Sequence, residues 1–308
     1  MPRTLLELVQ AACDEIGIPQ PSAIIGQVDD QSRQLLALAN REGKDFSALA
    51  NSRGGWQALH KEYVFQTEVQ SATTGNTTDG SAVITNIPST AGITAETWSV
   101  SGTGIPREAK VVSVDSATQV TLDRACTASG TGVSITFAQF GYSLPSDFEY
   151  FVQRSYWDGN MLWELMGPIT AQEKQVLRYG TVASGPRKKF YVRNNKMYLF
   201  PVPDTDGEEV AFDYYSNAWC QSSGGTAQTK WTADTDTYKL DEDCFIQGMK
   251  WRFLRAKGLD YTQEKLDYDT DCMRVLARDG GARDLSLTYN GGLKFLGTDN
   301  IPDGGYGR

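Results

Sequence analysis

His60 is the only histidine in the 308 residues, so a histidine-based nucleophile triad or a histidine-rich metal site has to use it. Its surroundings, WQALHKEY (56–63), are amphipathic and carry no nucleophile motif, which points to a partly exposed histidine at a helix end. Paired carboxylates are the other common route to hydrolysis. Three acidic clusters are available: DTDGEE (204–209), DTDTYKLDED (234–243) and LDYDTD (266–271). The second has the alternating aspartates of a calcium loop but lacks the glycine at position six and the glutamate at position twelve. Solvated acidic faces and a helix N-terminus account for all three clusters, and no spacing selects one pair. GTGIP (102–106) and DGGAR (279–283) lack the flanking strand and helix, and the lysine or third glycine, of phosphate-binding loops. They read as turns. The basic run GPRKKFYVR (185–193) is either a nucleic-acid platform or an ionic contact to an acidic partner subunit, and an acidic chain favours the contact. MKWRFLRAKGLDYTQEK (249–265) sets Trp251 and Phe253 among Lys250, Arg252, Arg255 and Lys257. That composition fits a nucleic-acid helix, part of an active site, or a helix that packs against copies of itself.

Net charge separates these readings. At −9 with a pI near 4.8, the chain is a poor free-standing binder of phosphate backbones, which calls for a basic balance. Five cysteines without CxxC spacing read as buried, reduced thiols of a protein made in a cytoplasm. No run reaches the length of a membrane span, and the first residues lack a signal-peptide core. A soluble intracellular product is expected.

The elements that must position these residues follow from periodicity. In TLLELVQAACDEIG, Leu5, Leu8, Val9, Ala12 and Ile16 share a helical face, with Thr4 and Glu7 spaced as a capping box and Gly17 as the stop. A second helix is expected from Asp29 to Arg41, a break at Gly43, and a further stretch from Asp45 to Ser52. YVFQTEV then reads as a strand. From Ser71 the chain turns rich in Thr, Ser, Gly and Val, with short alternating runs (SAVITNI, TWSVSG, AKVVSVD, TQVTLD, GVSITF) that predict five or six strands. Beyond it, Thr170 caps a short helix to Tyr179. KKFYVRNNKMYLFPVP predicts a hairpin turning at Asn194-Asn195, EEVAFDYYSNAW a strand, and residues 221–239 a polar loop. The last two helices, from Asp241 to Gly258 and from Leu259 to Gly280, predict an antiparallel hairpin, with acids in the first turn of its first helix and cations in its last turns.

The fold class expected is α+β: a helical bundle with a C-terminal helix hairpin, a mixed β-region, an inserted all-β domain and an extended C-terminal tail. The boundaries are 1–70 for the N-terminal helical part, 71–137 for the inserted β-domain, 138–239 for the β-rich part, 240–281 for the helix hairpin and 282–308 for the tail. Fully extended, that tail reaches about 90 Å. It carries Leu285, Leu287, Tyr289, Leu293, Phe295, Leu296 and Tyr306, too apolar for a solvated linker.

The segment DEDCFIQGMKWRFLRAKGLDYTQEKLDYDTDCMRVLARDGGARDLSL (241–287) resembles the C-terminal helix hairpin and tail of the head-to-tail adaptors of short-tailed bacteriophages, also called tail tubular protein A or head-tail connector proteins. LLALANREGKDFSALANSRGGWQALHKEYVFQT (35–67), YSLPSDFEYFVQRSYWD (142–158), LMGPITAQEKQ (165–175) and FYVRNNKMYLFPVPDTDGEEVAFDYYSNAW (190–219) extend the resemblance in the family's order. The strand-rich stretch between them is similar to small β-modules grafted onto phage structural proteins. The resemblance implies a non-enzymatic virion protein without cofactor or metal. It implies a homo-oligomeric ring, a dodecamer, between the portal protein and the tail nozzle protein, assembled in the host cytoplasm. Genomic DNA passes through without specific binding, no membrane is involved, and the ring is a place to anchor tail fibres or tailspikes. It further implies that the tail residues above dock on the portal, and that Trp251, Arg252, Phe253, Arg255, Lys257, Tyr261 and Tyr268 serve helix packing and contacts between subunits. Two alternatives are a tail-associated peptidoglycan hydrolase using acids such as Glu242 or Asp243, and a receptor- or glycan-binding protein acting through the β-insert. Trp98 is the only tryptophan of that insert, and sugar sites favour aromatic faces.

Overall fold

The computed structural model describes residues 2–51, 55–179 and 188–280. The portal-docking tail and the start of the basic run, residues 185–187, lie outside the described residues.

Helices α1 (Leu5–Ile16) and α2 (Asp30–Leu49) open the chain. The Thr4 side chain accepts from the Glu7 amide and the Glu7 carboxylate accepts from the Thr4 amide, so the capping box forms as its spacing predicts. Gly17 ends α1 in the left-handed conformation. After β1 (His60–Gln66), six strands build one antiparallel sheet: β2 (Val69–Thr77), β3 (Val83–Ile84), β4 (Trp98–Gly102), β5 (Ala109–Ser116), β6 (Gln119–Leu122) and β7 (Gly130–Gln139), in the order β2-β7-β4-β5-β6-β3. Its core is Ile84, Trp98, Val100, Val111, Val120, Ile135 and Phe137. Trp98 is 1% exposed, so this ring belongs to the core and offers no face to a sugar.

The chain continues through β8 (Gly141–Ser143), β9 (Phe148–Phe151), β10 (Trp157–Asp158), β11 (Trp163–Glu164) and α3 (Ala171–Tyr179) to β12 (Lys189–Arg193) and β13 (Lys196–Phe200). The last two form the predicted hairpin, with Asn194 and Asn195 at φ 50° and 55°. Next come β14 (Glu209–Ser216), β15 (Cys220–Gln221), β16 (Ala227–Gln228) and β17 (Thr237–Tyr238), then α4 (Glu242–Ala256) and α5 (Thr262–Asp279).

The expected helical bundle with an all-β insert is not what forms. The described residues are mostly β, in several antiparallel sheets, with helices gathered toward the two ends. The reason lies in pairing between distant segments. β1, where YVFQTEV reads as a strand at the end of the N-terminal helical part, pairs with β14 over seven residues, from His60 opposite Tyr215 to Gln66 opposite Glu209. β14 in turn pairs with β9 and β10, and β13 pairs with β8. Strands therefore run on both sides of the six-stranded sheet.

Two local expectations also change. Helix α2 does not break at Gly43. A Cβ there would lie 2.4 Å from the Trp219 ring, so the glycine is kept for a close approach and the helix runs through it. Residues 221–239 are more than a polar loop: they hold three short strands and bury Trp231 and Tyr238 beside Trp219 and Phe245.

Candidate functional site

Helix α4 packs against α1, α2 and α5, and the centre of that packing is a carboxylate. Glu42 on α2 has no exposed surface. Its Oε2 accepts from Arg252 Nε at 2.5 Å and its Oε1 from the Tyr268 hydroxyl at 2.7 Å. The Arg252 guanidinium also reaches Asp45 at 3.0 Å and lies over the Trp251 ring. Burial pushes the Glu42 carboxyl up, against the pull of Arg252 and the Tyr268 hydroxyl. For Arg252, burial acts downward, but Glu42 and Asp45 hold its proton more firmly than usual. A buried charge is tolerated only when it is paired in this way.

The contact requires Gly248. A Cβ on that residue would sit 2.1 Å from the Glu42 carboxyl carbon. Gly248→Ala is expected to cost about 1–3 kcal/mol in chemical denaturation, because the pinned carboxylate has no free volume to retreat into. A loss below about 0.5 kcal/mol, the usual size of a surface change, would mean that the crossing is looser than this.

The network settles where the residues of the last helix pair lie. Trp251, Phe253 and Tyr268 are buried in the helical core, and Tyr261 is packed partly against it. Arg252 finds its acids within the chain. Arg255 and Lys257 are exposed, the Lys257 ammonium lies over the Phe253 ring, and neither forms an ion pair among the described residues. Among the residues facing outward are three apolar ones spaced seven apart, Leu259 between the helices and Leu266 and Met273 on α5, exposed by 55%, 57% and 50%, beside the exposed Asp267, Asp269, Arg274 and Arg278. A second apolar surface caps the β10–β11 turn, where Met161, Leu162, Trp163 and Met166 are all more than two fifths exposed. Leu162 has φ 56°, unusual for a bulky side chain. Asp158 fixes the turn by accepting from the amides of Asn160 and Met161.

The acidic clusters hold backbone and cations. Asp234 accepts from the amides of Ile24 and Ile25, and Asp236 from those of Thr232 and Ala233. Asp241 caps α4 through the Cys244 amide, while Glu242 and Asp243 both lie within ion-pair reach of Arg3. Asp269 pairs with Lys265, and Asp271 with Arg274 and the Gln247 amide. In the first cluster, Asp206 accepts from the Val69 amide. Glu208 joins Asp158 on the ammonium of Lys188, at 2.5 and 2.9 Å, with all three side chains largely buried. The pattern missed this second buried network, because Lys188 lies within a run that reads as a surface charge patch. No group of three or more acidic, cysteine or histidine residues fit to hold a metal occurs among the described residues. His60 opens β1, stacks on Tyr215 and lies 3.5 Å from Asp213. All five cysteines are buried and unpaired. No helix among the described residues is long and apolar enough to cross a membrane.

A cleft of about 450 Å³ opens beside the C-terminal end of α2, lined by Lys44, Asn51, Trp56, Tyr150 and Asn217 among others. The Tyr150 hydroxyl and the Asn217 carbonyl oxygen are buried there without hydrogen-bond partners among the described residues. Compared with known proteins, the chain matches no family model and no curated protein.

Proposed function

We propose that this chain is a structural virion protein: one subunit of the head-to-tail adaptor ring that joins the portal to the tail nozzle of a short-tailed bacteriophage and lets the genome pass. The resemblance over segments 35–67, 142–158, 165–175, 190–219 and 241–287 brings the family to the reading. The observation that carries it is the outward face of the last helix pair. Leu266 and Met273 on α5, with Leu259 in the connection before it, are half-exposed apolar residues on a helix pair fixed from behind by a buried ion network, which suits side-by-side packing of identical copies. In this reading the apolar tail, residues 282–308, holds the ring to the portal, the β10–β11 turn is a contact for the nozzle or fibres, and no catalysis is required.

The mass of the purified chain in solution, with and without portal protein, tests it. A ring is expected in the presence of portal, and Leu266→Glu should shift the population toward the monomer. Because Leu266 is 57% exposed, that change leaves the subunit folded. A chain that stays monomeric beside portal, or a truncation after Gly281 that binds portal normally, overturns the proposal.

A further inference from the structure

Where the six-stranded sheet meets α3 and β12, the charge balance of the molecule reverses. Arg107, Lys110 and Arg124 come from the sheet and its loops, Lys174 and Arg178 from α3, and Arg193 from the end of β12. Against these six cations stand three carboxylates, Glu96, Glu108 and Asp123. In a chain of net charge −9, this local excess has been gathered by the fold from segments up to 86 residues apart (193 − 107).

The carboxylates are already committed. Asp123 takes the Arg178 guanidinium, the Lys110 amide and, at 3.9 Å, the Arg124 side chain, and Glu108 lies 3.9 Å from Arg107. Three cations are left with no acid partner among the described residues: Lys110, Lys174 and Arg193. Two of them rest on aromatic faces, Lys110 on Phe140 at 4.6 Å and Lys174 on Tyr191 at 4.4 Å. The Arg124 Nε is also buried without an acceptor among the described residues. Half-buried ammonium groups that repel one another, with carboxylates near but none in an ion pair with them, are costly. The seam has the donors of an anion site, guanidinium forks and lysine point charges drawn from the sheet, α3 and β12.

We propose that the seam between the six-stranded sheet and the α3–β12 face binds a phosphate-type oxyanion, held chiefly by Lys110, Lys174 and Arg193. The proposal is independent of the ring reading, since it rests on unpaired cations alone. Arginine forks match phosphate oxygens bidentately. The phosphate can come from free inorganic phosphate or from a phosphodiester backbone, whose shared chemistry is what the site reads. The Lys110 ammonium supplies a native reporter: burial, and then the charges of Arg178 and Lys174, bring its pKa down to about 8, against the opposing effect of Asp123 and Glu96. A bound anion favours the protonated form and must raise that value. By linkage, binding is strongest below about pH 8 and weakens by up to about tenfold per pH unit above it, as the free site loses its proton.

The experiment is a lysine-selective NMR titration of the full chain in chloride buffer, repeated at equal ionic strength with inorganic phosphate and with a short single-stranded DNA. The Lys110 midpoint is expected to rise by about one pH unit or more. A rise with phosphate alone identifies the free ion, and a rise with DNA alone identifies the phosphodiester; either supports the site. Lys174→Met should weaken the effect about tenfold, the worth of one charge-assisted hydrogen bond. Arg193→Met, at an exposed position, provides the same reading should the first variant fold poorly. A Lys110 midpoint that both probes leave at its value in chloride buffer overturns the proposal. So does a shift that survives both substitutions.

Discussion

Replacing Arg252 by methionine should destabilise the chain by about 3–5 kcal/mol, the usual cost of breaking a buried ion pair from one side. Glu42 has no exposed surface and, among the described residues, no other cation within ion-pair distance, so the variant keeps a carboxylate in the core with the Tyr268 hydroxyl as its side-chain donor. The pH dependence distinguishes this cause from simple loss of packing. Burial already pushes the Glu42 carboxyl above its ordinary 4.5, and without the guanidinium it moves further up. A carboxyl raised in the folded state favours folding in its protonated form, so the Glu42 contribution in the variant is fully present below about pH 4.5 and is lost as pH climbs through the raised value. Denaturant unfolding of Arg252→Met at several pH values reads this directly. The double variant Glu42→Gln/Arg252→Met should recover a large share of the loss, because a neutral amide replaces the stranded charge. A cost under about 1 kcal/mol, within the range of exposed pairs, would show that water reaches Glu42.

Lys188→Met is expected to cost a similar amount, about 3–5 kcal/mol, for a different reason. Its ammonium is the cation between Asp158 and Glu208, whose side chains are 4% and 3% exposed. Removing it leaves two buried carboxylates facing one vacated position. The loss spreads further because Asp158 also holds the amides of Asn160 and Met161, so the apolar turn that presents Leu162 loosens along with the core. Hydrogen exchange at those two amides should accelerate in the variant relative to amides of α1, which lies in the separate helical core. Adding Glu208→Gln should restore part of the stability by removing the like-charge contact. If exchange at Asn160 and Met161 stays unchanged while global stability falls, the turn is held by something other than Asp158.

Local signals in the sequence were sufficient wherever one short segment contains all the partners. Thr4 and Glu7 announce the start of α1 because both capping hydrogen bonds close within four residues. Asn194-Asn195 announces its hairpin because the turn demands positive φ at two adjacent positions. Thr170 caps α3 through the Glu173 amide for the same reason. Gly43 shows the limit of such signals. Glycine weakens a helix locally, so a break is the natural reading. The Trp219 ring that explains the glycine lies 176 residues away in the chain (219 − 43).

By itself the sequence determined the amphipathic helices, the alternating strands between residues 71 and 137, the acidic overall balance, and the apolar residues of the terminal stretch. Only the tertiary structure decided that β1 joins β14, making the molecule mostly β. It alone decided that Arg252 answers Glu42 within the chain, that Lys188 is a core residue, and that unpaired cations from three elements meet at one seam. The physical reason is the same in each case. Helix caps and turns are settled by neighbours a few residues apart, whereas the pairing of strands and of buried charges depends on which distant segments exclude water from one another.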